Sequence, residues 1–182
     1  MNTTVCRVRR GILFGAGAIV FGGVASPALA GIGAANVRRL SFDNLHTGEK
    51  IRADYWADGD YVPEALGAID RVLRDFRTGE VHPIAPGLLD LLALMRARLE
   101  TQSPLQVISA YRSPKTNAML REKSDGVASS SLHMDGKAID IRIAGRNLAK
   151  VRDTAIALKS GGVGYYPKSD FVHVDVGRVR RW

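Results

Sequence analysis

The spacing of apolar residues along the chain predicts four helices. In 63–76 and 147–158, apolar positions recur every three to four residues, as expected for a helix with one face on a core. Proline opens the first segment, and Asn147 caps the second. The segment 86–99 is rich in leucine and apolar around most of its circumference, which is typical of a buried helix. A polar helix is predicted at 114–123.

Short extended segments separate these helices. The segment 38–56 contains two extended runs around the turn 46–49, a pattern that favours a hairpin. Four further strands are predicted by their apolar and β-branched residues: 105–109, 138–143, 161–166 and 171–176. The order of these elements predicts an α+β fold, in which helices pack on a small, mostly antiparallel sheet.

The first 30 residues differ from the rest of the chain. A basic start with Arg9 and Arg10 precedes an uncharged apolar run, 11–25, and small residues then occupy the A-x-A positions at 28–30. This order predicts a secretory signal peptide over 1–30. The paired arginines resemble a twin-arginine export signal, which predicts a periplasmic protein exported by that pathway. An ordinary Sec signal and a retained N-terminal anchor are the alternatives.

Cleavage after residue 30 would change the charge and the available metal ligands. The full chain has a net charge of +8; three of its 26 basic residues and none of its 18 acidic residues lie in 1–30, which leaves +5. The single cysteine, Cys6, is lost too, so the mature chain has neither a disulfide nor a thiolate ligand. A basic exported protein is attracted to polyanions such as cell-wall polymer, whereas nucleic acid is in another compartment. We expect a flexible lead-in at 31–37, one domain at 38–182, and a monomer without a stable membrane anchor.

Two histidines have neighbours that predict a metal site. His133 precedes the predicted strand 138–143, and Asp140 lies on the polar face of that strand, opposite its isoleucines. In the last long strand, His173 and Asp175 share one face and valines occupy the other. If the two strands pair, His133, Asp140 and His173 can converge on one ion.

These three donors have the chemistry of a catalytic zinc site. Zinc binds imidazole nitrogen and carboxylate oxygen, and three protein ligands leave a fourth position for water. Bound zinc lowers the pKa of that water towards about 7 and polarises a carbonyl group. Taken singly, a histidine on a strand or a buried aspartate is more often structural than a ligand, so the prediction depends on the spacing of all three.

The spacing resembles that of a known class of peptidases. The pattern Ser-x-His-x-x-Gly-x-Ala-x-Asp at 131–140, followed by an apolar-flanked His-x-Asp at 173–175, is similar to the zinc D-Ala-D-Ala peptidases. Their superfamily includes lysostaphin-type endopeptidases and the hedgehog signalling domain. A closer resemblance, spread over nearly the whole mature chain, is to a family of twin-arginine-exported periplasmic murein endopeptidases. The segments that carry it are 45–49, 109–117, 130–141 and 161–182.

The resemblance implies a fold, a cofactor and an activity. It implies a hedgehog- or D,D-peptidase-like fold and one zinc ion per chain, bound by His133, Asp140 and His173. The implied reaction is hydrolysis of peptide cross-links in peptidoglycan, including direct links between two diaminopimelate residues. Two alternatives remain open: a carboxypeptidase that removes terminal D-Ala, and a non-catalytic wall-binding module in which zinc is structural.

Three residues are candidates for the remaining catalytic roles. Related dipeptidases have Glu three residues before the last zinc ligand, where this chain has Asp170, and lysostaphin-type enzymes use a His two residues from that ligand, where it has Asp175. The general base is Asp170, Asp175 or neither of them. Asp175 is also a candidate for orienting a zinc-bound imidazole. Arg112 corresponds to a cleft arginine of the resembled family, which stabilises an oxyanion or binds a substrate carboxylate.

Export should depend on the arginine pair. Replacing both Arg9 and Arg10 by Lys keeps the charge but removes the pair that a twin-arginine receptor recognises, so we expect the precursor to stay in the cytoplasm. Fractionation of cells that produce the double variant or the unaltered chain measures this. Arrival of the double variant in the periplasm at the normal rate would identify the segment as an ordinary Sec signal.

Overall fold

In the computed structural model, which describes residues 37–123 and 128–182, the strands form one mixed sheet, and three of the four helices described pack on one of its faces. The strands are β1 (Val37–Asn44), β2 (Lys50–Ala57), β3 (Asp60–Tyr61), β4 (Leu105–Ser109), β5 (Ala138–Ile143), β6 (Gly162–Tyr166), β7 (Phe171–Asp175) and β8 (Arg180–Arg181). The α-helices are α1 (Pro63–Val72), α2 (Pro86–Arg98), α3 (Pro114–Lys123) and α4 (Leu148–Leu158). Two 3₁₀ turns occur at Leu132–Asp135 and Pro167–Ser169. The predicted signal peptide, 1–30, lies outside the described residues, as does the lead-in up to residue 36.

The strands follow the order β3-β2-β1-β4-β5-β7-β6-β8 across the sheet. All neighbouring pairs are antiparallel except β1 with β4 and β6 with β8. The prediction of an α+β fold with a mostly antiparallel sheet is therefore confirmed. The two-residue strands β3 and β8 were not predicted, because neither is long enough to show an alternating pattern.

One face of the sheet is apolar and packs against the helices. Leu40, Ile139 and Val172 point to this face and are fully buried. They belong to the same core as the leucines of α2 and the inner side of α4, which confirms the prediction that α2 is buried. Because side chains alternate along a strand, the residues between them point to the other side, called the open face below. The open face carries Ser41, Gln106, Asp140, Arg142 and His173.

Helix α1 ends earlier than its apolar spacing predicts. The pattern extends to Phe76, but the helix ends at Val72. Asp75 instead begins a turn, in which the Gly79 amide donates to the Asp75 carbonyl at 2.8 Å. Phe76 leaves the helix and stacks on His46, with ring centroids 3.9 Å apart. The apolar side chain at 76 thus covers the hairpin turn instead of the core.

No helix within the described ranges has both the length and the apolar run that a membrane crossing requires.

Candidate metal centre

The pairing of β5 with β7 places two predicted ligands side by side. The strands are antiparallel, and Asp140 lies directly opposite His173. Ile139, Ile141 and the valines of β7 hold this register by burying the helix-facing side of both strands. Asp140 and His173 consequently share the open face. Opposite residues of an antiparallel pair have Cβ atoms about 4.5–5.5 Å apart, close enough for two side chains to bind one ion.

The third predicted ligand, His133, comes from the 3₁₀ turn that precedes β5. Gly136 ends this turn with a φ of +64°, in the left-handed region where glycine is favoured. A Cβ atom at Gly136 would also collide with the Pro83 carbonyl, so the tight turn depends on glycine. The turn brings His133 over the end of β5, where its imidazole is 3% exposed. Ser131 accepts a hydrogen bond from the His133 amide at 3.4 Å and helps to hold the start of the turn.

Three donor atoms meet at this point. His133 Nε2 lies 3.2 Å from His173 Nδ1 and 3.4 Å from Asp140 Oδ1, and His173 Nδ1 lies 2.9 Å from Asp140 Oδ1. Within residues 37–123 and 128–182, no fourth His, Cys, Asp or Glu joins this group. The structure therefore brings together the three residues whose spacing predicted a metal site.

The other nitrogen of each imidazole is held by an acceptor. His133 Nδ1 donates to the Ala110 carbonyl at 2.6 Å, and His173 Nε2 donates to Asp175 Oδ2 at 3.1 Å. A carbonyl and a carboxylate only accept hydrogen bonds, so the proton of each ring is on the nitrogen that faces away from the group. The two lone pairs then point at each other and at Asp140, an arrangement that a cation stabilises.

Electrostatics around the group also favours a cation. Burial acts to raise the pKa of Asp140, but His133 and His173 outweigh it and hold that pKa well below its ordinary value. Burial acts to lower the pKa of His173, but its hydrogen bonds to Asp140 and Asp175 raise it overall. Asp140 is thus an anion surrounded by groups that stabilise its charge.

The donor separations fit zinc. Bonds of about 2.0–2.1 Å from a tetrahedral zinc ion place neighbouring ligand atoms roughly 3.3–3.4 Å apart. The observed separations of 2.9, 3.2 and 3.4 Å lie close to that value. Two imidazoles and one carboxylate are also a donor set that catalytic zinc uses.

Asp175 lies behind His173, away from the three donors. It is fully buried, and its Oδ1 accepts from the amides of Gly162 and Gly177, each at 2.8 Å. Arg180 Nη2 donates to Oδ2 at 2.8 Å. Burial acts to raise the pKa of Asp175, but the bonds from His173 and the two amides hold it well below its ordinary value. A Cβ atom at Gly162 would collide with Oδ2, so this approach of β6 depends on glycine.

Asp170 has different surroundings from Asp175. It ends the turn Pro167–Ser169 with a φ of +54°, and its carboxylate accepts from Arg142 Nη1 at 2.6 Å. Its side chain is 59% exposed. Its two neighbours along the chain, Ser169 and Phe171, line the cleft above the donors. Asp170 thus lies at the rim of the cleft, paired with a cation.

Arg112 lies in the cleft, as the resemblance implies. Its Nη2 is 3.8 Å from Asp140 Oδ2, and its amide donates to the His133 carbonyl at 3.1 Å. Burial lowers the pKa of Arg112, and the charge of Asp140 opposes that effect. The guanidinium therefore remains a cation beside the group of donors.

The cleft has a volume of about 530 Å³ and opens onto solvent. Tyr166 lines it, whereas Tyr165 packs under Arg152, as expected for adjacent residues on a strand. Trp182 also lines the cleft; its ring centroid is 5.3 Å from that of His173, and its indole donates to the Tyr166 hydroxyl at 2.7 Å. Sequence reasoning missed Trp182, because it reaches the cleft only through the pairing of β8 with β6.

Asp75 fixes the turn that carries Arg112. Its Oδ2 accepts from the Ser113 amide at 2.9 Å and from the Ser113 hydroxyl at 2.7 Å. Burial acts to raise the pKa of Asp75, but hydrogen bonds from Thr116, Ser113 and the Arg77 amide outweigh it and lower the pKa to about 2. An acidic residue near the end of a predicted helix gave no signal for this role.

The arrangement defines a class of protein. Two oriented imidazoles and a carboxylate on the floor of an open cleft, with a cation beside them, are the parts of a metal-dependent hydrolase. The two remaining histidines of the sequence lie elsewhere: His46 stacks on Phe76, and His82 stacks on Tyr111.

Comparisons with known proteins identify the family. A family model described as peptidoglycan L,D-endopeptidase MepK, of the M15 peptidases, matches residues 32–182. Peptidoglycan L,D-endopeptidase MepK of Escherichia coli K12 is 42% identical over 171 residues, which cover 90% of this chain and 94% of that protein. The probable peptidoglycan L,D-endopeptidase MepK of Haemophilus influenzae is 43% identical over 155 residues, 85% of this chain and 83% of that protein. The chain belongs to this family of M15 metallopeptidases, which confirms the family and the enzyme class that the sequence predicted.

The lowered pKa of Asp75 predicts how stability depends on pH. A carboxyl with a pKa of about 2 in the folded state and about 3.9 when unfolded stabilises the fold above pH 4, and this contribution disappears between about pH 4 and pH 2. Its full size is about 2.6 kcal/mol, because the two pKa values differ by about 1.9 and one pKa unit corresponds to about 1.4 kcal/mol.

The measurement is urea unfolding of the wild type and of Asp75→Asn at pH 6 and at pH 2.5. At each pH, the free energy of unfolding of the variant is subtracted from that of the wild type. This difference should be about 2 kcal/mol larger at pH 6 than at pH 2.5. Taking the difference between the two proteins removes the effect of other titrating groups. An equal difference at both pH values would show that Asp75 is not stabilised as an anion.

Proposed function

We propose that this chain is a zinc-dependent peptidoglycan endopeptidase that hydrolyses peptide cross-links. The observation that carries the proposal is the meeting of His133 Nε2, Asp140 Oδ1 and His173 Nδ1 within 3.4 Å of one another in an open cleft. The relatives are named L,D-endopeptidases, and we infer an L,D peptide bond as the substrate here. The direct link between two diaminopimelate residues is a bond of this kind.

The three donors would hold one zinc ion per chain. A bound zinc ion supplies a Lewis acid that polarises the scissile carbonyl and lowers the pKa of water. Ala110 and Asp175 support the site by keeping each imidazole in the tautomer that presents a lone pair. Because all three donors come from one chain, we propose that a monomer is active.

Asp175 positions His173 and does not itself accept a proton from water. Both of its oxygens already accept hydrogen bonds, from His173, Arg180 and two backbone amides, and the carboxylate is fully buried. A base must reach the attacking water within about 3 Å. Asp175 has no oxygen free to do so.

Asp170 is the carboxylate that we assign as proton acceptor. Its side chain is exposed, and it stands between two cleft residues, Ser169 and Phe171. To act, it must exchange its hydrogen bond with Arg142 for one with the attacking water. The exchange is compatible with the position of Arg142 on the open face, where a water molecule can replace Asp170 as the acceptor for the Arg142 guanidinium.

Arg112 stabilises negative charge that develops during the reaction. Its guanidinium lies next to Asp140 in a largely buried position, where a hydrogen bond to an oxyanion is stronger than in water. The same guanidinium can bind the terminal carboxylate of a substrate, which is why removal of terminal D-Ala stays a second candidate activity.

We propose further that the protein acts in the periplasm after export by the twin-arginine pathway. The support is the order of charged, apolar and small residues in 1–30. A cross-linked cell-wall polymer as substrate agrees with that location.

Digestion of purified peptidoglycan tests the activity. Incubation with the protein followed by chromatographic separation of muropeptides should show loss of cross-linked dimers. A chelator should abolish the loss, and added zinc should restore it. Replacing His133, Asp140 or His173 by Ala should abolish zinc binding and hydrolysis together, because each removes a ligand on a preformed strand or turn.

The matched control is His46→Ala, which removes an imidazole outside the cleft and should keep both properties. Stoichiometric zinc with full activity in any of the three ligand variants would overturn the site. Loss of one D-Ala from pentapeptide monomers, with dimers left intact, would favour the carboxypeptidase. Zinc binding without hydrolysis of any muropeptide would favour a structural role for the metal.

Asparagine variants separate the roles of Asp170 and Asp175, because Asn keeps the size and removes the charge. Asp170→Asn should keep zinc and lose roughly 10²-fold or more in rate, the scale of general-base help. Asp175→Asn should weaken zinc affinity about 10- to 100-fold and recover much of its rate at saturating zinc.

The measurement is single-turnover cleavage of a defined cross-linked muropeptide at saturating zinc, so that lost metal is not mistaken for lost catalysis. Asp153→Asn, on the exposed side of α4, serves as the control. A near-normal rate for Asp170→Asn together with a large loss for Asp175→Asn would reverse the two assignments. Near-normal rates in both would exclude both carboxylates as the base.

A further inference from the structure

A second concave site lies on the open face, over β1 and β2. It has a volume of about 560 Å³, and four cations line it with a single carboxylate, that of Asp43. The cations are Arg39, Lys50, Arg52 and Arg96. None of these residues belongs to the metal centre.

Two of the four cations are neutralised by partners within the sheet. Arg39 forms a bidentate pair with Asp54, and Lys50 Nζ lies 3.8 Å from Asp43. Arg52 and Arg96 have no carboxylate within 4.0 Å in the part of the chain that the structure describes. These two guanidiniums are therefore the cations of the site that form no direct ion pair among the described residues.

Arg96 is an unusual cation because it is buried. It is 6% exposed and reaches from α2 to the start of β1. This part of β1 precedes Phe42, the first residue that pairs with β4. There it donates to the Arg39 carbonyl and to Gln102 Oε1, both at a long 3.3 Å, and its Nε has no partner among the described residues. Burial and the neighbouring Arg52 lower its pKa. A buried, incompletely bonded cation is costly unless an anion compensates it.

Arg52 approaches the same space from the exposed side. It lies on β2 directly opposite Ser41 of β1, and its side chain is exposed. Two like charges at one cavity repel each other, and an anion between them relieves that repulsion. Guanidinium groups bind planar oxyanions through paired N–H donors.

We propose that Arg52 and Arg96 form an oxyanion-binding site that engages the carboxylates of peptidoglycan stem peptides. The choice of ligand rests on the proposed function; the site itself does not. The site and the metal centre share the open face, and β2 lies three strands from β5, about 14 Å away. Gln106 and Arg142, joined by a 2.8 Å hydrogen bond, form a polar bridge between the two regions. One cross-linked polymer can therefore contact both.

A titration followed by nuclear magnetic resonance tests the proposal. The zinc-loaded, ¹⁵N-labelled protein is titrated with a free stem tripeptide, which has no cross-link to cleave, and separately with inorganic phosphate. The Arg52 and Arg96 Nε–H signals report binding at this site. We expect the tripeptide to shift both signals, and Arg52→Gln to weaken its binding there about fivefold or more.

Arg71→Gln is the matched control, since it removes an exposed arginine from α1, in the helical layer. It should bind the tripeptide within about twofold of the wild type. No shift of either arginine signal with either probe would overturn the site. Shifts with phosphate but none with the tripeptide would overturn the assignment to stem peptides.

Hydrolysis of a cross-linked dimer, measured on the same preparation, separates this proposal from the proposed function. An active protein with silent arginine signals contradicts only the second site. An inactive protein whose arginine signals respond to the tripeptide contradicts only the endopeptidase activity.

Discussion

The register between β5 and β7 is the constraint on which the candidate site depends. Asp140 and His173 can bind the same metal ion only because the two residues lie opposite each other on one face of the sheet. A slip of one residue would turn Asp140 towards the helices and bring an isoleucine to the open face. The apolar side chains beneath prevent this, since Ile139, Ile141 and Val172 are fully buried against the helical layer. The core thus sets the geometry of the chemistry above it.

That geometry buries charged and polar groups, and their hydrogen-bond and ion-pair partners offset the free-energy cost of removing them from water. Asp140 is stabilised by two imidazoles and by Arg112, and Asp175 by two amides and Arg180. Each imidazole has its outer nitrogen bonded, so its inner lone pair is directed before any metal binds. Gly162 allows β6 to approach the Asp175 carboxylate, and Gly136 allows the turn that carries His133 to approach the Pro83 carbonyl.

Sequence patterns were sufficient for the two strands that contain Asp140 and His173, whereas the 3₁₀ turn that contains His133 was not predicted. The alternation in 138–143 and the valines of 171–176 predicted the strands and the face on which Asp140 and His173 lie. What they could not predict depends on tertiary pairing. Trp182 enters the cleft through a two-residue strand. Asp75 lies beyond the end of α1 and accepts hydrogen bonds from Ser113.

The roles of the two aspartates near His173 also lay beyond the sequence. Position relative to the last ligand left three possibilities for the base: Asp170, Asp175 or neither. The structure separates them by burial and bonding, since one is enclosed behind an imidazole and the other is exposed at the rim. The cation site on β1 and β2 likewise depends on which cations have carboxylate partners. The sequence does not predict that Arg96 belongs to this site, because it reaches the site only through the packing of α2 beside β1.

The most direct test of this account is anomalous diffraction at the zinc edge from crystals of the zinc-loaded protein. The account predicts one ion per chain, at about 2.0–2.2 Å from His133 Nε2, Asp140 and His173 Nδ1, with a water molecule as fourth ligand. An ion bound elsewhere, or a fourth position occupied by Asp170 or Asp175, would contradict it.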